Sequence, residues 1–157
     1  MKVRGIATAL LMILASASSL GHPGGKPNFD FVCQLGSKSV RVATEGDELV
    51  YRYGTAANSE LTIRGSARNH NLFFLHEGGG RGEAQQLRFV NGDYSYVLYS
   101  QFTAPGYDGK GAEDWVKFFV LHGKTVLRAQ LCRNAASFED FDQLDHLPPD
   151  KLVPVLD

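Results

Sequence analysis

Val40-Arg41-Val42, Glu45-Gly46-Asp47 and Leu49-Val50-Tyr51-Arg52-Tyr53-Gly54 decide how this chain folds. Apolar Val40 and Val42 flank Arg41, and Leu49, Tyr51 and Tyr53 alternate around Val50 and Arg52. A period of two is the mark of a strand with one buried face, because successive side chains point to opposite sides of the sheet. Between the two runs, Glu45-Gly46-Asp47 has the length and composition of a hairpin turn, where glycine supplies a positive φ without steric cost. The stretch therefore reads as a β-hairpin.

The same grammar extends in both directions. Upstream, Phe29, Phe31, Cys33 and Leu35 share one face; downstream, Leu61 and Ile63 alternate with Thr62 and Arg64. Leu72 to Leu75 is a compact apolar run, Leu87 and Phe89 follow, and longer runs cover Tyr94 to Phe102, Trp115 to Leu121 and Val126 to Cys132. Asn91-Gly92-Asp93 and His122-Gly123-Lys124 are two more hairpin-length turns. Some eight strands at this spacing predict an all-β antiparallel sandwich or barrel over residues 29–133. After it, residues 134–157 read as a short helix and a loosely attached tail from Asp150. Ser137 is its N-cap, Asp140 its partial capping-box partner, and Phe138, Phe141 and Leu144 face the domain.

The N-terminal residues follow the layout of a secretory signal. Lys2 and Arg4 form a positive region, Ile6 to Leu14 is apolar, and Ala15-Ser16-Ala17 is the small-x-small pattern of a cleavage site. The apolar run is about half the length that a bilayer-spanning helix needs. Residues 1–17 are thus expected to be removed, and the Gly/Pro-rich residues 18–28 to form a flexible leader. Loss of the two signal cations leaves 14 basic against 17 acidic residues, which argues against nucleic acid or an anionic membrane as a partner. The expected location is periplasmic or secreted, with no transmembrane segment after cleavage.

Export changes the meaning of the two cysteines. Cys33 and Cys132 are an even pair in an oxidising compartment and read as a disulfide, not as metal ligands or a catalytic thiol. The five histidines, His22, His70, His76, His122 and His146, show no metal-ligand spacing. No G-x-S-x-G elbow is present. The triple glycine Gly78 to Gly80 precedes an expected strand, not the helix that a phosphate loop requires. Acidic neighbours such as Glu113-Asp114 read as solvated positions. A non-catalytic protein without cofactor or metal is the expectation.

Binding is read from loops and tyrosines. Glu77 to Glu83 and Thr103 to Glu113 look longer and richer in glycine than a hairpin needs, with Arg81 and Lys110 at their tips. A cation on such a protrusion suits an acidic cleft, where partial desolvation strengthens its charge. Tyr94, Tyr96 and Tyr99 crowd one strand and Tyr107 lies in the loop beyond; tyrosines offer large contact area at low entropic cost. Arg81, Tyr94, Tyr107 and Lys110 are the candidate partner-binding residues.

Phe31-Val32-Cys33, the Trp115 strand, the Gly123-Lys124 turn and Leu131-Cys132-Arg133 resemble the bacterial periplasmic inhibitors of c-type lysozyme. The resemblance implies an antiparallel barrel or sandwich that pushes a loop into the active cleft of a lysozyme. Those inhibitors carry a Ser-Gly signature in the inhibitory loop; the counterpart here is Asn91-Gly92-Asp93-Tyr94. Cys33-Gln34-Leu35-Gly36-Ser37-Lys38 and Leu49 to Gly54 are also similar to secreted proteobacterial proteins that bring no function with them. The functional expectation is an exported binding protein that inhibits lysozyme-type glycosidases by loop insertion. Its alternative is an envelope glycan- or peptide-binding module without catalytic activity.

Overall fold

Two-residue turns set the strand pairing. In the computed structural model, which describes residues 28–106, 111–135 and 143–152, five hairpins close on Gly36-Ser37, Gly46-Asp47, Gly80-Arg81, Gly92-Asp93 and Gly123-Lys124. The leading glycine of each has φ between 59° and 78°, the first central position of a type II′ turn. These turns, the Thr55–Asn58 corner and two longer connections, residues 66–71 and 104–112, join nine strands. They are β1 (Asp30–Leu35), β2 (Lys38–Glu45), β3 (Glu48–Thr55), β4 (Asn58–Gly65), β5 (Leu72–Gly79), β6 (Gly82–Asn91), β7 (Tyr94–Thr103), β8 (Glu113–His122) and β9 (Thr125–Leu131). All neighbours are antiparallel, in a four-stranded meander β1-β2-β3-β4 and a five-stranded meander β5-β6-β7-β8-β9. The fold is the expected all-β sandwich, with nine described strands where about eight were counted. The expected signal, all of the leader but Asn28, and the helix from Ser137 to Phe141 lie outside the described residues.

Alternation decides which side chains form the core. Val40 and Val42 of β2, Leu49 and Tyr51 of β3 and Ile63 of β4 meet Phe74 of β5, Leu87 and Phe89 of β6, Leu98 of β7 and Val116 and Phe118 of β8, all buried. Tyr51 is the hub, with ring centroids 5.5 Å from both Phe89 and Tyr96 and 6.5 Å from Phe118. Burial pushes its phenol well above its ordinary pKa. Along β3, Leu49 shares a cavity with Leu72 of β5, Tyr51 touches β6, β7 and β8, and the Tyr53 hydroxyl lies 3.5 Å from Arg128 of β9. The small sheet thus runs across the strands of the large one, a steep crossing of two sheet layers. At the closest approach no side chain fits. A Cβ on Gly65 would stand 2.9 Å from the Phe89 ring and 3.1 Å from Leu72 Cβ.

Outer faces differ between the sheets. The small sheet carries exposed ion pairs, Arg41–Asp30 at 2.6 Å, Arg52–Glu45 at 2.6 Å and Arg64–Glu48 at 3.0 Å. Each is worth little beyond solubility. The large sheet is apolar on both sides, which is why β7 and β8 read as near-continuous apolar runs. Val97, Tyr99, Phe119 and Leu121 form a second buried cluster on its outer face, with Ala84, Trp115, Val126 and Leu152 against it.

Leu152 belongs to a segment expected to be loose, and here the structure corrects the sequence reading. Leu144 and Leu147 are buried in the main core. Pro149 then bridges to Phe74 in parallel, with Phe74 N donating to Pro148 O (2.9 Å) and Asp150 N to Phe74 O (2.8 Å). The Asp150 carboxylate, 0% exposed, accepts from Arg88 Nη2 at 2.7 Å and from Gln86 Nε2 at 2.7 Å, while Arg88 lies over the Phe73 ring. The segment is anchored because a carboxylate buried beside a guanidinium has no better partner in water-poor surroundings.

Two substitutions test this packing. Asp150→Ala leaves Arg88 buried without its counter-ion and should cost about 3–5 kcal/mol, read as a lower urea midpoint; Lys151→Ala, exposed next door, should leave the midpoint unchanged. Gly65→Ala forces its Cβ into Phe89 and should cost about 1–3 kcal/mol in the same assay.

Candidate functional site

The β5–β6 ribbon is built on the stretch that looked like a long glycine loop. β5 runs on to Gly79 and β6 begins at Gly82, with Gly78 opposite Glu83 and Gly79 opposite Gly82. Only Gly80-Arg81 turns the chain, so the expected loop from Glu77 to Glu83 is a tight hairpin. The ladder survives its poor strand formers because β7 continues it from the other side, pairing Gly82 with Thr103 and Glu83 with Phe102. Arg81 stands exposed at the tip.

The segment after β7 meets that tip directly. Ala104 N donates to Arg81 O at 2.7 Å, so the β5–β6 turn and the start of the β7–β8 connection converge. Tyr107 and Lys110, the other two candidates in this region, lie outside the described residues.

A polar cluster missed by the sequence reading occupies the same end. His76 Nε2 lies 2.8 Å from Glu83 Oε1, and His76 Nδ1 lies 4.0 Å from Asp145 Oδ1. Gln85 Nε2 also donates to Glu83 Oε1. The side chains of His76 and Glu83 are 33% and 41% exposed, so solvent reaches the pair. Placing the turn at Gly80-Arg81 would have revealed half of it. His76 then pairs with Gln85, which makes Glu83 its diagonal neighbour on the same face. Asp145 comes from the C-terminal segment, and no spacing rule links it to β5. Ser100, in the same cross-strand row, is separated from His76 by the whole of β6, about 10 Å by strand spacing.

Tyr94 is not part of this end. It opens β7, whose last residue Thr103 is nine residues away, about 30 Å along an extended strand. There its ring lies 5.0 Å from that of His122, and 43% of its surface is exposed. Tyr96 turns into the main core against Tyr51, and Tyr99 lies under Trp115 on the opposite face with centroids 5.9 Å apart. Strand alternation divides the tyrosines between two faces. They form no single contact surface.

Cys33 and Cys132 are bonded, with Cα atoms 4.9 Å apart across 99 positions. Among the described residues, no helix is long and apolar enough to cross a membrane, and no group of three or more His, Cys, Asp or Glu could hold a metal ion. No protein-family model, no curated protein and no solved structure matches the chain.

The tight hairpin makes a sharp prediction about neighbouring glycines. Gly80, at φ 64°, should lose about 1–2 kcal/mol on substitution by alanine, because a Cβ is strained in the left-handed region. Gly79→Ala, with open space around it and no positive φ, should change the thermal midpoint little. Equal effects at the two positions would contradict the two-residue turn.

Proposed function

We propose that the protein is an exported, non-catalytic binding protein whose contact end is the β5–β6 tip together with the β7–β8 connection, and whose partner is a lysozyme-type glycosidase. The observation that carries the reading is the Ala104 N–Arg81 O hydrogen bond. It joins the two predicted loops and presents Arg81 on a preformed ribbon, which lowers the entropy lost when a partner closes around it. Glycosidases flank the scissile bond with a pair of carboxylates. A guanidinium delivered on a narrow hairpin is complementary to that pair and can bind it in bidentate fashion. The Cys33–Cys132 bond is compatible with an oxidising, extracytoplasmic location, in keeping with the N-terminal sequence.

A second reading draws on the other end of the molecule. The exposed Tyr94–His122 ring pair offers aromatic surface for a sugar or an extended peptide, as in an envelope glycan- or peptide-binding module.

Lytic assays with c-, g- and i-type lysozymes test the first reading. Micromolar protein should slow one of them, Arg81→Glu should weaken that inhibition at least tenfold, and Tyr94→Ala should leave it unchanged. Undiminished lysis by all three types would refute the inhibitor reading. Retention on peptidoglycan that Tyr94→Ala abolishes, with no effect on lysis, would favour the second.

A further inference from the structure

Among the described residues, β1, β4, β5 and β9 each have a neighbouring strand on one side only. Such edges carry rows of backbone groups that can pair with another chain, and proteins cover or charge them. Arg133 and Asn134 cover β1, and residues 148–150 cover β5. On β4 the exposed side chains are polar, Asn58, Ser59, Glu60, Thr62 and Arg64. β9 has neither defence. Leu127 and Leu131 are 57% and 52% exposed, Ala129 between them is exposed, and Arg128 is the strand's only charge.

The β8–β9 ladder fixes which backbone groups are available. Cys132 N donates to Val116 O at 2.8 Å, one step beyond the Lys117–Leu131 pair. In an antiparallel strand, residues that bond the neighbour alternate with residues whose N–H and C=O point away. Arg128 and Gln130 therefore bond to β8 as Cys132 does, while Ala129 and Leu131 turn their backbone groups outward. Nearer the turn, Val120 pairs with Arg128 and Leu121 with Val126, so Leu127 is left without a partner on β8.

We propose that β9 pairs antiparallel with β9 of a second copy of this chain, with the twofold axis at Ala129. The stretch from Leu127 to Leu131 is complementary to itself in that register. Ala129 meets Ala129 of the second copy through reciprocal hydrogen bonds of the outward groups, and Leu127 meets Leu131. Arg128 meets Gln130, whose Oε1 it already contacts within its own strand at 2.6 Å. With the axis at Arg128 two guanidiniums would oppose each other, and with the axis at Gln130 Leu127 would oppose Arg133, beyond the end of the strand. Ala129 is opposite Phe119 of the outer apolar cluster, so Leu131, two residues on, shares that face and extends the cluster towards the second copy. The pairing joins two five-stranded sheets into one, with the Arg81 tips at opposite ends. One seven-residue strand from each copy makes a small interface, so the dimer dissociates on dilution. It uses no residue of either proposed contact end and stands independently of the function proposed for them.

Sedimentation velocity on the purified protein, from micromolar to millimolar concentration, tests the pairing. The average mass should rise towards twice that of the monomer. Ala129→Pro should hold the protein monomeric with its thermal midpoint little changed, because the N–H it removes points away from β8. Ala129→Glu and Ala129→Lys set like charges face to face, so each should be monomeric alone and their equimolar mixture should dimerise. Recovery in the mixture reads the register, since only a residue on the twofold axis meets its own copy. Three results would overturn the proposal: a monomer at millimolar concentration, which would leave the edge to an extended segment of another protein; a dimer that Ala129→Pro leaves intact; or a mixture of the folded Glu and Lys variants that stays monomeric.

Discussion

Two hydrogen-bonded meanders that share no ladder must be held face to face by something other than backbone pairing, and the Cys33–Cys132 bond stands at the place where this matters most. It ties the first strand of the small sheet to the residue that follows the last strand of the large one. A closed loop of about a hundred residues removes roughly 4–5 kcal/mol of unfolded-state freedom in the chain-entropy model. The bond also seeds local pairing. Cys132 N donates to Val116 O, Arg133 N to Gln34 O, and the Asn134 side chain both accepts from Gln34 N and donates to Val32 O. The outer edge of β1 is therefore covered and offers little template to another chain.

The opposite margin solves the same problem without a covalent bond. Residues 148–150 run along β5, and Asp150 locks onto Arg88 and Gln86 of β6 on the outer face of the large sheet. With β1 and β5 both covered, the steep crossing of the sheets leaves one corner filled from three directions. That corner holds the apolar cavity, framed by the β2–β3 turn, the β4–β5 loop and the segment from Gln143 to Leu147. The segment that Asp150 anchors therefore also supplies one wall of the cavity.

The two proposed contact ends lie at opposite ends of the large sheet. A meander places alternate turns at the same end, so the β5–β6 and β7–β8 connections meet while the β6–β7 and β8–β9 turns gather at the other. Arg81 goes with the first pair and Tyr94 with the second, whatever their residue types would favour. The ribbon near Arg81 also brings His76, Glu83 and Asp145 together, a polar corner on an otherwise apolar inner face.

Sequence alone determined the class of the fold and three of the glycine-led turns, at Gly46, Gly92 and Gly123. Period-two alternation and glycine-led turns are local properties that each strand carries without help from its neighbours. The even pair Cys33 and Cys132 was readable as a bond for similar reasons, from composition and position. Tertiary structure decided the rest. Gly78, Gly79 and Gly82 became ladder with β7 continuing it from the other side, although nothing in three glycines specifies a strand. Asp150 became a buried anchor because Arg88 lies 62 positions earlier on a face that only the folded sheet defines. Arg81 and Tyr94 followed the same rule: alternation along one strand can be read from the chain, whereas the end of the sandwich at which a residue emerges depends on how whole meanders stack.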